Sequence, residues 1–210
     1  MPVNDVVGVI LAGGLARRMG GGDKTLIKLH GRPILSWIIE RVAPQVSRLI
    51  LNANGELARF EPFGLPIVAD SVPDFAGPLA GILAALEWTA TNAPGTRWVA
   101  SFAGDAPFIP HDIVARFEQA QIAAKAALVC AASGGRTNPV CGLWRVDLAG
   151  DLRHALIEDD LHKIDAWTAR YPLTVVEFPA QPVDPFFNIN RPEDLAQAES
   201  LAASHSGTLA

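Results

Sequence analysis

Short, almost continuously apolar segments alternate with helical patterns along this 210-residue chain. The apolar segments predict strands at residues 6–11, 48–52, 65–69, 97–103 and 126–131. The segments between them predict helices at residues 34–42, 78–89 and 113–123. Apolar runs of this length are typical of strands buried on both faces, and a β-α-β-α order implies right-handed crossovers between parallel strands. The sequence therefore predicts a three-layer α/β fold with a doubly wound, mostly parallel, Rossmann-like sheet.

The second half of the chain is less regular but continues the same pattern. It predicts strands at residues 139–145 and 173–178, and helices at residues 147–157 and 192–203. Because no Pro-, Gly- or Ser-rich linker divides the chain, residues 1–202 are predicted to form a single domain. The small and polar residues 203–210 are predicted to fray.

Composition excludes several classes of protein. A hydrophobic fraction of 50% with 19% charged residues excludes a disordered chain, and no apolar run is long enough for a transmembrane helix. A net charge of -5 argues against nucleic acid as a partner, and residues 1–8 lack the Lys or Arg of a signal peptide. Cys130 and Cys141 are too few for a disulfide framework or a four-thiolate zinc site, so a cytoplasmic location is expected.

A glycine-rich loop with three cations follows the first predicted strand. Residues 11–24 read L-A-G-G-L-A-R-R-M-G-G-G-D-K. Asp23 stands where a P-loop requires glycine, and the spacing also fails the dinucleotide pattern G-x-G-x-x-G. Glycines such as Gly14 let backbone N–H groups approach phosphates, while Arg18 can grip phosphate oxygens and Lys24 adds a point charge. The loop therefore predicts phosphate binding.

Polar residues end several of the predicted strands. Asn52, Asp70 and Asp105 each come at or directly after the end of an apolar run. Ligands of open α/β sheets bind at the carboxyl ends of the strands, so these side chains are expected to lie together. Asp105 is predicted to bind Mg²⁺, because Mg²⁺ is usually held by one or two carboxylates together with substrate phosphates. The alternative role, as N-cap of a helix starting near Pro110, requires too long a spacing.

Further motifs recur along almost the whole chain. They are I-L-N-A-N at residues 50–54, V-A-D-S at 68–71, G-P-L-A-G at 77–81, G-D-A-P-F at 104–108 and F-F-N-I-N-R-P-E-D-L at 186–195. The glycine-rich loop alone is typical of a superfamily of nucleotidyltransferases. Together with the N-A-N and C-terminal motifs, the chain resembles the molybdenum cofactor guanylyltransferases.

This resemblance implies a substrate pair and a set of contacts. GTP and Mo-molybdopterin would give the guanine dinucleotide form of the cofactor and pyrophosphate, with molybdoenzymes or other cofactor-biosynthesis proteins as further partners. Backbone groups of Leu11, Ala12 and Gly13 would contact the nucleotide. Asn52 and Asp70 would bind polar groups of the nucleotide.

The resemblance also implies which residues contact the phosphates, the metal and the pterin. Lys24 would bind the triphosphate, and Asp105 would bind both Mg²⁺ and GTP. Asn188 and Asn190 would lie beside the pterin. The family carries Pro-Cys or a similar pair before the aspartate, whereas this chain has Ala103-Gly104, and a glycine there is expected to loosen the turn that aims Asp105.

The charges of the reactants suggest the mechanism. A phosphate monoester has a second pKa near ~6, so the attacking group is mostly ionised at neutral pH and needs no strong general base. The difficulty is to bring two polyanions together. The predicted catalytic residues are therefore the three that neutralise or position charge: Arg18, Lys24 and Asp105.

Some alternatives remain open at this point. A related enzyme of the same fold would use CTP or a sugar phosphate, and a non-catalytic GTP-binding or cofactor-delivery protein would bind nucleotide without releasing pyrophosphate. An oxidoreductase is disfavoured by the broken dinucleotide spacing. Arg136 and Asn138, in S-G-G-R-T-N-P, either contact the pterin phosphate or form an ordinary polar turn before a strand.

Overall fold

The computed structural model describes residues 6–13, 23–72 and 77–204. The strands are β1 (Val6–Leu11), β2 (Lys28–Leu29), β3 (Arg32–Pro33), β4 (Arg48–Asn52), β5 (Ile67–Val68), β6 (Trp98–Ala103), β7 (Leu128–Ser133), β8 (Arg136–Arg145) and β9 (Leu173–Phe178). The α-helices are α1 (Ile34–Val42), α2 (Pro78–Asn92), α3 (Ile113–Ala124), α4 (Ala149–Ile157), α5 (Ile164–Thr168) and α6 (Pro192–Ser204). Single 3-10 segments occur at Lys24–Leu26, Ala43–Gln45, Leu57–Phe63 and Val146–Leu148.

Seven strands form one twisted sheet in the order β5-β4-β1-β6-β8-β7-β9. The pairs β1–β4, β1–β6, β4–β5 and β7–β9 are parallel. Only β8 runs against its neighbours β6 and β7 within the described sheet. The prediction of a mostly parallel, doubly wound sheet is confirmed, and β2 and β3 form a separate two-stranded ribbon.

Helices cover both faces of the sheet, which gives the three predicted layers. On one face, buried side chains of α1, α3 and α6 form an apolar cluster with the sheet. On the other face, α2, α4 and α5 contribute to a second cluster. The central strand β1 is buried almost throughout, because it packs against both layers. Its carboxyl end, where the site begins, therefore lies between the two helical layers.

Four predicted strands have different bounds in the structure. β6 begins at Trp98 rather than at residue 97, and β7 spans Leu128–Ser133 rather than residues 126–131. β5 is limited to Ile67–Val68, although the Pro66 carbonyl still accepts a hydrogen bond from the Leu51 N–H at 2.9 Å. β8 begins at Arg136 rather than at residue 139. Gly134 and Gly135 both have positive φ angles, 55° and 74°, so a tight two-residue turn lets the polar residues after it pair directly with β7.

The C-terminal helix α6 ends close to its predicted position. α6 ends at Ser204, one residue past the predicted helix end at residue 203. Cys130 and Cys141 are buried free thiols, as expected, and burial raises the pKa of the first to about 11 and of the second to about 12.

Among the described helices, none has the length and apolar character that spanning a bilayer requires.

Candidate active site

A cleft of about 810 Å³ follows the carboxyl edge of the sheet. Most of the predicted site residues that the structure describes line this cleft. They are Leu11, Gly13, Lys24, Asn52, Asp70, Asp105 and Asn188. Gly14 and Arg18 lie outside the described residues, so their predicted roles rest on the sequence. The carboxyl edge of the sheet thus brings together residues that are as far apart in the chain as 11 and 188.

The sheet order arranges these residues in a row. Asp70 follows β5, Asn52 ends β4, Gly13 follows β1 and Asp105 follows β6. Because β8 is antiparallel, its first residues, Arg136 onward, reach the same edge on the far side of Asp105. The cleft therefore has an Asp70 end, a centre at Asp105 and an Arg136 end.

The backbone around the end of β1 is fixed by its neighbours on both sides. The Ala12 N–H donates to the Asn52 carbonyl at 2.8 Å, and the Gly104 N–H donates to the Leu11 carbonyl at 3.1 Å. A Cβ atom at Gly104 would lie 2.5 Å from that same carbonyl oxygen. The expectation that Gly104 loosens the turn is wrong, because this glycine packs directly against β1 and is hydrogen-bonded to it.

Lys24 and Asp105 meet at the centre of the cleft. The Lys24 Nζ lies 3.7 Å from the Asp105 Oδ2 and donates to the Asn190 Oδ1. Burial raises the pKa of the Asp105 carboxyl, and the Lys24 ammonium partly opposes this effect. The two side chains remain 20% and 23% exposed, so both can still be reached by a ligand.

The loop before α6 is attached to the Asp105 turn. The Ile189 N–H donates to the Asp105 carbonyl at 2.9 Å, which fixes the residues on either side of Ile189. Asn188 lines the cleft, whereas Asn190 accepts the hydrogen bond from Lys24. Asp194 caps the start of α6 by accepting from the Asn190 and Arg191 N–H groups at 2.9 and 2.8 Å. The C-terminal motif therefore orients Lys24 as well as lining the cleft.

Asp70 is held by two amides from the N-A-N motif. Its Oδ1 accepts from Asn52 Nδ2 at 2.8 Å, and its Oδ2 accepts from Asn54 Nδ2 at 2.7 Å. The Asp70 N–H donates to Asn54 Oδ1 at 2.9 Å. Asn54 also lines the cleft and was not predicted as a site residue, although the repeated asparagine of N-A-N was the signal for it.

Two further residues support this geometry without having been predicted. A Cβ atom at Gly81 would lie 2.3 Å from Asn52 Oδ1, so glycine in α2 lets that helix approach the amide closely. Arg59 pairs with the carboxylate of Asp23, beside Lys24, and donates to the Asn54 carbonyl at 3.0 Å. Arg59 thus connects the lysine at the centre of the cleft to the Asp70 end.

The cleft fits a metal ion that is shared with a phosphate ligand. Asp70 and Asp105 are its carboxylates among the described lining residues, and the amides of Asn52 and Asn54 occupy Asp70. No group of three or more His, Cys, Asp or Glu residues suited to enclose a metal exists within residues 6–13, 23–72 and 77–204. Mg²⁺ does not need such a cage, because phosphates and waters complete its coordination.

Ser101, on β6, holds the neighbouring strand β8, which forms part of the cleft wall. Its hydroxyl donates to the Val140 carbonyl at 2.6 Å and accepts from the Trp144 indole N–H at 2.7 Å. We expect Ser101→Ala to lower the free energy of unfolding by about 2–3 kcal/mol, since the buried indole N–H loses its partner. Denaturant titration measures this loss, and Ser204→Ala, at an exposed helix end, should change stability by about 0.5 kcal/mol at most. A loss below about 1 kcal/mol at Ser101 would contradict the role.

A doubly wound sheet whose carboxyl edge presents Gly13, Lys24 and Asp105 to one cleft is typical of a protein that binds a nucleotide. Residues 8–173 match the MobA-like NTP transferase domain. The chain belongs to this family and, within it, to the molybdenum cofactor guanylyltransferases. A molybdenum cofactor guanylyltransferase of Nitrobacter hamburgensis is 58% identical to it over 200 residues, which are 95% of this chain and 96% of that protein.

Solved structures show the same fold. Molybdopterin-guanine dinucleotide biosynthesis protein A from Archaeoglobus fulgidus superposes with a TM-score of 0.74 at 23% identity, and the match covers 94% of this chain and 99% of that one. A Mycobacterium tuberculosis protein, solved in complex with manganese, superposes with a TM-score of 0.66 at 18% identity. That match covers 93% of this chain and 98% of the other.

Proposed function

We propose that this enzyme transfers GMP from GTP to Mo-molybdopterin, which forms the guanine dinucleotide cofactor and pyrophosphate. The observation that carries the proposal is the meeting of Lys24 and Asp105, 3.7 Å apart, midway along a cleft that has different polar groups at its two ends. Such a cleft suits two substrates that react at its centre. Membership of the guanylyltransferase family supplies the identity of the two substrates.

The nucleotide is assigned to the half of the cleft between Asp70 and Asp105. Leu11 and Gly13 line this half of the cleft and are assigned to the base and sugar, whereas Ala12 between them is buried and bonded to the Asn52 carbonyl. The Asp70 carboxylate, oriented by two amides, binds polar groups of the nucleoside. The triphosphate then extends from this end toward Lys24.

Asp105 is the residue that would hold Mg²⁺ together with phosphate oxygens of GTP. When bound, the ion supplies charge neutralisation at the reacting phosphates. The manganese complex of the M. tuberculosis protein agrees with a divalent metal in this fold. We choose Mg²⁺ for this chain because one carboxylate plus phosphates is the ligand set typical of that ion.

The chain's own residues position and neutralise charge. An ionised oxygen of the pterin phosphate attacks the α-phosphorus of GTP, a new P–O–P bond forms, and the bond to the β-phosphate breaks to release pyrophosphate. Lys24 stabilises the negative charge that develops on the phosphates, and Asn190 fixes the position of its ammonium group. From its position in the glycine-rich loop, Arg18 is assigned a contact to the departing pyrophosphate, in addition to that of Lys24.

The test is to incubate the enzyme and Mg²⁺ with molybdopterin and each of the four NTPs, and to identify the pterin product by mass. We expect one product, larger than molybdopterin by a GMP unit, with one pyrophosphate released per product. A CMP adduct would contradict the choice of guanine. Nucleotide binding without any pterin product would contradict the transfer reaction.

Two further expectations accompany this function. The product has to leave for molybdoenzymes or other proteins of cofactor biosynthesis, so a transient contact with such proteins is proposed. The cytoplasm is proposed as the location, with which the free thiols of Cys130 and Cys141 agree.

Asp70→Asn is expected to raise the KM for GTP by about 10- to 100-fold, because a charged acceptor of nucleotide hydrogen bonds is lost. Steady-state kinetics measures the change, with Glu61→Gln, an exposed carboxylate outside the cleft, as the control. ITP lacks the 2-amino group, so a loss confined to GTP assigns Asp70 to the base. Equal losses with GTP and ITP assign it to the ribose, and an unchanged KM for both nucleotides would remove it from the site.

A further inference from the structure

Arg136 is the second cation of the cleft. Among the described residues that line the cleft, Lys24 and Arg136 are the ones with positively charged side chains. Lys24 lies beside Asp105 at the centre of the cleft, whereas Arg136 begins β8 at the end of the cleft opposite Asp70. A cation at this end, away from the half of the cleft assigned to GTP, is suitably placed to bind an anionic group of the second substrate.

The guanidinium of Arg136 has no protein partner in the part of the chain that the structure describes. Other arginines there have one: Arg32 pairs with Glu40, Arg59 with Asp23 and Arg153 with Glu87. Exposed arginines without an ion pair are common, but this one lies on the wall of the substrate cleft. It is therefore free to bind an anionic ligand at little cost from competing contacts.

The backbone that carries Arg136 is well anchored. The Ser133 hydroxyl donates to Asp184 Oδ1 at 2.8 Å, and the same oxygen accepts the Phe186 N–H at 2.9 Å. Asn138 Nδ2 reaches the Ser133 hydroxyl at 3.3 Å. These bonds connect the β7–β8 turn to the loop that carries Asn188. Arg136 and Asn188 therefore belong to one structural unit at the Arg136 end of the cleft.

We propose that Arg136 binds the terminal phosphate monoester of the pterin substrate and positions it for attack on the α-phosphorus. This inference rests on the proposed function, which assigns the Asp70 half of the cleft to GTP. A guanidinium can bind two non-bridging oxygens of a phosphate at once, which leaves the third oxygen directed at the nucleotide. Arg136 also balances charge where two polyanions approach each other.

The experiment compares Arg136→Gln with Arg97→Gln. Arg97 is an exposed arginine just before β6, at the sheet edge opposite the cleft, so its substitution makes the same charge change away from the site. We expect Arg136→Gln to raise the KM for molybdopterin by about 10- to 100-fold and to leave the dissociation constant of GTP within about twofold. Arg136→Lys should give an intermediate KM, because it keeps the charge but not the two-pronged contact. Arg97→Gln should change neither constant.

A second measurement tests whether the contact is to the phosphate. Calorimetry with molybdopterin and with its dephosphorylated form should show that wild-type protein prefers the phosphorylated form, and that Arg136→Gln loses most of this preference. Equal weakening of both forms, or an unchanged KM in an enzyme that makes the dinucleotide, would overturn the inference. If wild-type protein makes no dinucleotide, the proposed function fails, while the two binding affinities still decide the role of Arg136.

Discussion

Asp105→Asn is expected to lower turnover by about 10³-fold at saturating GTP and Mg²⁺. Among the described residues that line the cleft, this is the carboxylate at its centre that can share a divalent ion with phosphates, and an amide is a much weaker, uncharged ligand. Metal neutralisation contributes several kcal/mol to such a reaction, and about 4 kcal/mol corresponds to a factor of roughly 10³. Steady-state pyrophosphate release measures the effect, and added Mn²⁺ should restore only part of the rate.

The control for this substitution is Asp112→Asn. Asp112 precedes α3, is exposed, makes no side-chain capping bond and does not line the cleft, so its loss should leave turnover within about twofold. Turnover of Asp105→Asn within tenfold of wild type would contradict the role of Asp105.

Because burial raises the pKa of Asp105, its ionised form is lost at a higher pH than for an ordinary aspartate as the solution is acidified. Affinity for metal-bound GTP should fall over that same range.

Lys24→Ala is expected to lower turnover by about 10²–10³-fold, the scale of one preorganised electrostatic group. Its ammonium is held by Asn190 and lies 3.7 Å from Asp105, so it needs little reorganisation when charge develops on the phosphates. The loss should appear in kcat at saturating GTP and Mg²⁺, because the contact strengthens in the transition state. Rapid-mixing or steady-state assays of pyrophosphate release measure it.

Lys28→Ala serves as the matched control for Lys24→Ala. Lys28 lies four residues further along the chain, is exposed on β2 and does not line the cleft. Its removal makes the same change in net charge and should leave kcat within about twofold. An unchanged rate for Lys24→Ala at saturating GTP and Mg²⁺ would refute the catalytic role.

Strong periodic signals made most of the fold predictable. β1, β4 and β9 have the predicted bounds. β1 and β4 are apolar runs buried by helices on both faces, whereas β9 is an edge strand whose buried Val176 and Phe178 alternate with more exposed residues. β8 departs most from its predicted start, since its first residues are polar and pair with β7 only after a tight glycine turn at residues 134–135. Periodicity does not detect such a segment, and neither its early start nor its antiparallel direction follows from composition.

The site was predictable where a general rule of sheet topology applied. That rule brought Asn52, Asp70 and Asp105 to one edge, as observed. Asn54 was not predicted although the N-A-N motif contains it, because its role depends on a contact to Asp70. Arg59 had no sequence signal, since its pairing with Asp23 arises only in the folded chain. The loop around Gly14 and Arg18 remains a prediction from its glycines and cations.

Isothermal titration calorimetry of the wild-type protein with nucleoside triphosphates tests the central claim, that the carboxyl edge of this sheet binds a nucleotide together with a divalent cation. We predict saturable heat for GTP with Mg²⁺ at one site per chain, and much weaker binding when EDTA removes the metal. The absence of binding heat with every NTP in the presence of Mg²⁺ would contradict the account.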